Sequence, residues 1–141
     1  PIGACLASNA AADVLVPGSH GSTFGGNFLS TSVGLTVLDI MKKKSLCKNA
    51  RDIGLYLETE LNKKLSHFDV IKEIRCKGLM IGIELKVNCM HLVEDALENR
   101  LVINVTKENT IRMLPPLILD RDQADTIANT LRKIIGEIKY E

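Results

Sequence analysis

The stretch GLMIGIEL, residues 78–85, alternates strictly along its length. Its odd-numbered positions from Leu79 to Leu85 are all Leu or Ile and share one face of an extended chain, while Met80, Gly82 and Glu84 share the other. This pattern predicts a β-strand with one face on a hydrophobic core. Gly78 separates it from residues 70–74, which predict a neighbouring extended segment.

Helical periodicity lies on both sides of this strand. Residues 28–44, 45–65 and 121–138 repeat apolar side chains every three or four positions. The first of these helices is apolar on more than one side, which predicts burial on more than one side. In the second, Ser45 is the predicted N-cap and Gly54 is expected to weaken the helix modestly.

The C-terminal half completes a small sheet. Residues 90–100 predict a short helix whose inward positions would be Leu92, Val93, Ala96 and Leu97. Residues 101–105 and 110–114 predict a β-hairpin, which Pro115 ends because proline offers no ladder donor. Asp120 begins a capping box before the last helix. From Ser45 onward the chain therefore predicts an α+β domain, with helices over one face of a mainly antiparallel sheet.

The N-terminal part of the chain differs in character. Residues 1–40 contain only two charged side chains, Asp13 and Asp39, and hold six of the ten glycines. Within them, residues 1–8 predict a buried strand, residues 10–15 predict one or two helical turns, and residues 19–27 form a glycine-rich loop. So poorly charged a segment is expected to be covered, either in a larger body or at a subunit interface.

Composition excludes several classes of function. The net charge is +1 and the aromatic content is 4%, which argues against a nucleic-acid partner. No uncharged stretch is long and apolar enough for a membrane span, and no secretory signal is expected. The four cysteines and three histidines lack metal-ligand spacing, so no metal site is expected. Unclustered cysteines without a signal suggest reduced thiols and a cytoplasmic location.

Two features could carry chemistry. The loop SHGSTFGGN, residues 19–27, offers hydroxyls, glycines and a following helix N-terminus, a combination that suits a phosphate. The alternative is a glycine-rich turn that only caps the helix. Arg112 lies between two core-facing residues of a predicted strand, so it points away from the core and could hold a carboxylate, or be an ordinary exposed arginine. Arg75 and Glu84 are interpreted either as a structural ion pair or as solvated groups.

Four segments together resemble one family. PIGA at 1–4, HGSTFGGN at 20–27, KGLMIGIEL at 77–85 and IRMLPPL at 111–117 look like the C-terminal part of class III, ornithine-type aminotransferases, and most of all the acetylornithine branch. The order and spacing agree over essentially the whole chain. Two positions depart from the family pattern: Phe28 replaces a usual proline, and Cys76 replaces a usual glycine.

The resemblance implies a fold and its division. The fold would be the small C-terminal α+β domain of a fold type I pyridoxal-phosphate-dependent transferase, preceded by a short piece of the large domain. Residues 1–27 would be the end of the large cofactor-binding domain, with the phosphate-contacting loop. Residues 28–44 would be the connecting helix, and residues 45–141 the small domain.

The resemblance also implies site residues. Ser22 and Thr23 would bind the phosphate of pyridoxal 5'-phosphate held by the partner subunit of a homodimer, and Arg112 would bind a substrate carboxylate. No catalytic residue is expected in this chain, because the Schiff-base lysine of the family is expected upstream of Pro1. The 141 residues alone are therefore expected to be inactive.

The implied reaction moves an amino group from N-acetylornithine to 2-oxoglutarate, as in arginine biosynthesis. Two alternatives remain open. One is another class III enzyme that acts on ornithine or 4-aminobutyrate. The other is a stand-alone, non-catalytic interaction domain, which would be soluble and monomeric.

Overall fold

A computed structural model describes residues 2–138, and the chain divides after Lys44 into two units. The N-terminal unit contains helices α1 (Asn9–Ala12) and α2 (Phe28–Lys43). The C-terminal unit contains α3 (Leu46–Leu65), β1 (Ile71–Lys77), β2 (Met80–Leu85), α4 (Leu92–Glu98), β3 (Asn104–Thr106), β4 (Thr110–Met113) and α5 (Arg121–Gly136).

The four strands form one antiparallel sheet in the order β1-β2-β4-β3. Tight turns join the outer strands to the inner ones. Gly78 has φ +57° in the β1–β2 turn, and Lys107 and Glu108 both have positive φ in the β3–β4 hairpin. Consecutive positive φ angles give the turn the twist that a two-stranded ribbon needs. The predicted hairpin and the mixed α+β class are confirmed.

The core lies on one face of this sheet. Ile81, Ile83 and Ile111 project into it, as the alternation predicted, and share one buried cluster with side chains of α3, α4 and α5. Along α5 the apolar positions predicted to face inward are buried from Ala124 to Ile135, and Ile138 is partly buried. The opposite face, here called the outer face, carries the even-numbered side chains of β2 and β4.

One local prediction in the C-terminal unit is wrong, and another is confirmed in its position but not in its side-chain bond. Leu97 was expected inside but is 64% exposed, because α4 has only two turns and contacts its neighbours through Leu92 and Ala96. Ser45 does occupy the N-cap position of α3, but its backbone is left-handed with φ 50° and its side chain makes no capping hydrogen bond. Its carbonyl oxygen instead accepts from the amides of Lys48 and Asn49.

In the N-terminal unit the predicted buried strand at residues 1–8 is not formed. Residue 1 lies outside the described part of the chain, and residues 2–8 are exposed and form no strand. Within residues 2–44 there is no second strand to supply ladder hydrogen bonds. Nor is α2 buried: none of its residues is buried within the described structure, although its side chains are largely apolar. The expected helical turn appears as α1.

The capping box at Asp120 is confirmed. The Asp120 carboxylate accepts from the Gln123 amide at 2.8 Å, and the Gln123 side chain accepts from the Asp120 amide at 3.1 Å.

Asp120→Ala removes one of these bonds, and we expect it to destabilise α5 by about 1 kcal/mol. Hydrogen exchange of the α5 amides in the full-length protein measures this. Asp122→Ala, which removes a first-turn carboxylate without a capping role, should cost less than half as much.

Candidate functional site

The loop before α2 is organised by its own side chains. The Ser22 hydroxyl accepts a hydrogen bond from the Gly25 amide at 2.9 Å. Asn27 caps the helix, since its Oδ1 accepts from the Ser30 amide at 3.0 Å and its Nδ2 donates to the Phe24 carbonyl oxygen at 2.8 Å. These bonds hold the loop folded against the first turn of a helix of 16 residues.

Two glycines are needed for this shape. Gly26 has φ +72°, a conformation that favours glycine over other residues. A Cβ at Gly25 would stand 2.8 Å from the Ser22 hydroxyl oxygen, which is too close for the hydrogen bond to survive unchanged. An open cleft of about 540 Å³ lies beside the loop and is lined by Ile2, Gly3, Ser22, Phe24, Gly25, Gly26, Asn27 and Ser30.

The loop suits a phosphate on its donor chemistry. The Ser22 oxygen already accepts from Gly25, so its own proton remains free to be donated to an anion. The Thr23 hydroxyl makes no hydrogen bond to any described residue and is exposed. The N-terminus of α2 adds a favourable dipole for negative charge. The residues present therefore fit the phosphate group of a cofactor such as pyridoxal phosphate.

Arg112 lies on the outer face of the sheet, as its position between Ile111 and Met113 predicted. It is exposed, while both of its neighbours are buried. Across the sheet it pairs with Gly82 of β2 on one side and Asn104 of β3 on the other. Within residues 2–138 its guanidinium forms no hydrogen bond or ion pair. The guanidinium is therefore available to an anionic ligand that approaches the outer face of the sheet.

The predicted ion pair between Arg75 and Glu84 is present and is part of a larger network. Glu84 accepts from Arg75 Nη1 at 2.8 Å and from Lys72 Nζ at 2.7 Å. Arg75 Nη1 also donates to Glu73. Sequence reasoning missed Lys72 and Glu73, because the irregular register between Ile71 and Glu73 changes which β1 side chains face outward.

The hydrogen bonds from Lys72 and Arg75 lower the pKa of the Glu84 carboxyl to about 2. Because its folded pKa lies below the unfolded one, the network contributes stability that is present above about pH 4.5. That contribution is lost as the pH falls through the folded pKa toward 2. We expect NMR titration of the full-length protein to show Glu84 still ionised at pH 3.5, and protonation at that pH would contradict the hydrogen-bonded network.

Residues 2–138 form no disulfide and contain no metal-ligating cluster. Their four cysteines are unpaired, and burial raises the pKa of the Cys76 thiol to about 11, so this thiol stays protonated. No group of three or more His, Cys, Asp or Glu side chains there could hold a metal ion. Nor does this part of the chain contain a helix with the length and apolarity needed to cross a membrane.

The chain is similar to known proteins over nearly all of its length. The family model described as aminotransferase class-III matches residues 1–135. Acetylornithine aminotransferase 1 of Bordetella bronchiseptica is 46% identical over 97% of this chain and 35% of its own length. Ornithine aminotransferase of Staphylococcus carnosus is 39% identical over 96% of this chain and 34% of its own.

Among solved structures, an ornithine δ-aminotransferase of Plasmodium falciparum matches with a TM-score of 0.85 and 33% identity. The match covers 93% of this chain and 35% of that one. The chain therefore spans about a third of the length of the relatives it matches. At this identity the similarity supports common ancestry as well as a common fold.

Proposed function

Because the chain belongs to the class III aminotransferase family, we propose that the protein it is part of moves an amino group from N-acetylornithine to 2-oxoglutarate with pyridoxal phosphate. This step would serve arginine biosynthesis. The observation that carries the proposal is the outward Arg112 beside the alternating strand, which forms no ion pair within residues 2–138, since both substrates are carboxylates. The choice of N-acetylornithine rests on the higher identity to an acetylornithine aminotransferase, 46% against 39% for an ornithine aminotransferase.

The two units would have different tasks in this reaction. We assign residues 1–27 to the end of the large cofactor-binding domain, residues 28–44 to a connecting helix and residues 45–141 to the small domain. The exposed apolar side chains of α2 support this assignment, because a helix with none of its residues buried needs a covering surface. A homodimer in which Ser22 and Thr23 reach the partner subunit's cofactor would provide part of that cover.

Pyridoxal phosphate supplies the electron sink that lets an amino group leave one carbon and join another. Ser22 would donate its hydroxyl proton to a phosphate oxygen while Gly25 holds the hydroxyl in place. Thr23 would donate a second bond. Arg112 would bind a substrate carboxylate through two parallel N–H donors, which orients the reacting carbon and its proton.

Thr23→Val should weaken retention of the cofactor. The replacement keeps the shape of the side chain but removes the hydroxyl donor, and a lost hydrogen bond to a charged group costs about 1.5–3 kcal/mol. We expect the dissociation constant of pyridoxal phosphate in the full-length protein to rise at least tenfold, measured by absorbance after dialysis. Thr36→Val, whose hydroxyl donates to the Ser32 carbonyl oxygen within α2, is the control. Normal retention would contradict the phosphate role of Thr23.

The amino donor is tested by assaying the full-length protein with 2-oxoglutarate and each of three donors. We expect kcat/KM for N-acetylornithine to exceed that for ornithine and for 4-aminobutyrate. An ornithine enzyme is the second candidate, favoured by the TM-score of 0.85 to the Plasmodium ornithine aminotransferase. A preference for ornithine would therefore change the substrate but leave the family role intact.

We further propose that the 141 residues alone do not transaminate, since none of their lysines stands in the family's Schiff-base context. Adding pyridoxal phosphate to this chain, reducing with borohydride and weighing the product tests this directly. An unmodified mass is expected. A stoichiometric adduct at a single lysine would overturn the assignment.

We also propose a cytoplasmic location for the protein. The four unpaired cysteines support it, because disulfides are rare in the reducing cytosol.

A further inference from the structure

Four outward positions form a row across the sheet. Arg75 pairs with Gly82, Gly82 pairs with Arg112, and Arg112 pairs with Asn104. Side chains of paired residues project from the same face, so two arginines share this row with a glycine between them. Neighbouring strands lie about 4.8 Å apart, which places the two arginine Cα atoms roughly 10 Å from each other.

The Arg75 guanidinium is held by one nitrogen. Its Nη1 donates to both Glu84 and Glu73, and this is the only Arg75 nitrogen that hydrogen-bonds within residues 2–138. Its Nη2 and Nε stand 3.9 Å and 4.0 Å from the point where a Cβ of Gly82 would be. The Nε–Nη2 edge therefore lies over Gly82, in the row that leads to Arg112.

Gly82 leaves a space above β2 that is bordered by the Arg75 guanidinium and the Thr110 side chain. It is an interior residue of a central strand, where glycine lacks a side chain to pack and commonly marks a close approach by a ligand or another chain. The Cβ of an alanine would meet its neighbours at ordinary contact distance, so the fold does not require glycine here. A larger side chain would fill the space beside the Arg75 guanidinium.

We propose that Arg75 is a second anion contact, which shares with Arg112 a substrate carboxylate seated over Gly82. Glu84 acts as a positioning residue, because its bond to Nη1 turns the Nε–Nη2 edge toward that seat. The inference rests on the proposed function for the identity of the ligand. A purely structural ion pair would stabilise an exposed surface very little, whereas this one leaves a bidentate donor edge free.

The test uses the full-length protein with its cofactor. Arg75→Gln should raise the KM for 2-oxoglutarate about tenfold and leave kcat within twofold, because a ground-state contact is lost. Glu84→Gln should raise the KM for 2-oxoglutarate about threefold. The matched control is Lys72→Gln, which removes the other donor to Glu84 at a position outside the row of Arg75, Gly82 and Arg112. Its KM should stay within twofold of the wild type.

A second variant keeps the test independent of the ion pairs. Gly82→Val fills the seat with a side chain that suits a strand, and we expect a KM increase of tenfold or more, with little effect from Gly82→Ala. A KM for Arg75→Gln within twofold of the wild type, or a fall in kcat at constant KM, would overturn the inference.

Calorimetric binding of 2-oxoglutarate separates this inference from the proposed function. A wild-type protein that binds 2-oxoglutarate through Arg112 and Arg75 without turning it over would contradict the proposed function alone. Turnover that is unaffected by Arg75→Gln would contradict this inference alone. Absence of both binding and turnover would contradict both.

Discussion

Arg112→Ala in the full-length protein is expected to raise the KM for 2-oxoglutarate about 100-fold. The guanidinium is exposed on the outer face and makes no bond to residues 2–138, so its removal leaves the folded unit intact. What is lost is a bidentate, charge-assisted contact to a carboxylate. Hydrogen bonds to charged groups are worth about 1.5–3 kcal/mol each, and about 2.7 kcal/mol corresponds to a factor of 100.

Two measurements accompany this variant. The absorbance spectrum of the bound cofactor should be unchanged, because Arg112 is assigned to the substrate rather than to pyridoxal phosphate. Arg132→Ala removes an exposed arginine of α5 and should leave the KM as it was. Unchanged kinetics for Arg112→Ala would remove the basis for placing the carboxylate on this strand.

Gly54→Ala is expected to destabilise the C-terminal unit by about 3 kcal/mol or more. A Cβ at position 54 would stand 2.4 Å from the carbonyl oxygen of Gly78 and 2.6 Å from its carbonyl carbon. Both contacts are with backbone, which cannot turn aside as a flexible side chain would. Relief requires α3 to move away from the β1–β2 turn, and strain of this kind in a packed core costs about 1–3 kcal/mol, occasionally more.

Hydrogen exchange of the α3 amides in the full-length protein measures the loss. Thr59→Ala, at an exposed position of the same helix, is the control and should change stability by less than about 0.5 kcal/mol. Helix propensity alone would make Gly54→Ala stabilising by about 1 kcal/mol. The sign of the effect therefore distinguishes close packing from intrinsic preference.

Local patterns were sufficient for most of the C-terminal unit. The alternation of residues 79–85 predicted which side chains of β2 are buried, and the capping box at Asp120 predicted where α5 begins. Both signals depend on residues within a few positions of each other. The same is true of Arg112, whose outward direction follows from its two apolar neighbours.

Predictions that depended on contact with another element of the molecule were less accurate. Residues 1–8 have a strand-like composition, but a strand forms only where another strand supplies its hydrogen bonds, and none does within residues 2–44. Leu97 continues the helical stripe of α4, but a short helix buries only the positions that meet a neighbour. Composition does not specify which neighbours these will be.

The sequence by itself determined the α+β class and the alternation of the central strand, because both depend on spacing along the chain. Its resemblance to the family predicts Ser22, Thr23 and Arg112 as site residues. Only the tertiary structure decided that Gly54 must lack a side chain against Gly78, and that the free edge of Arg75 lies over Gly82. Such contacts join residues of separate elements, and their distances arise only when helices and strands pack together.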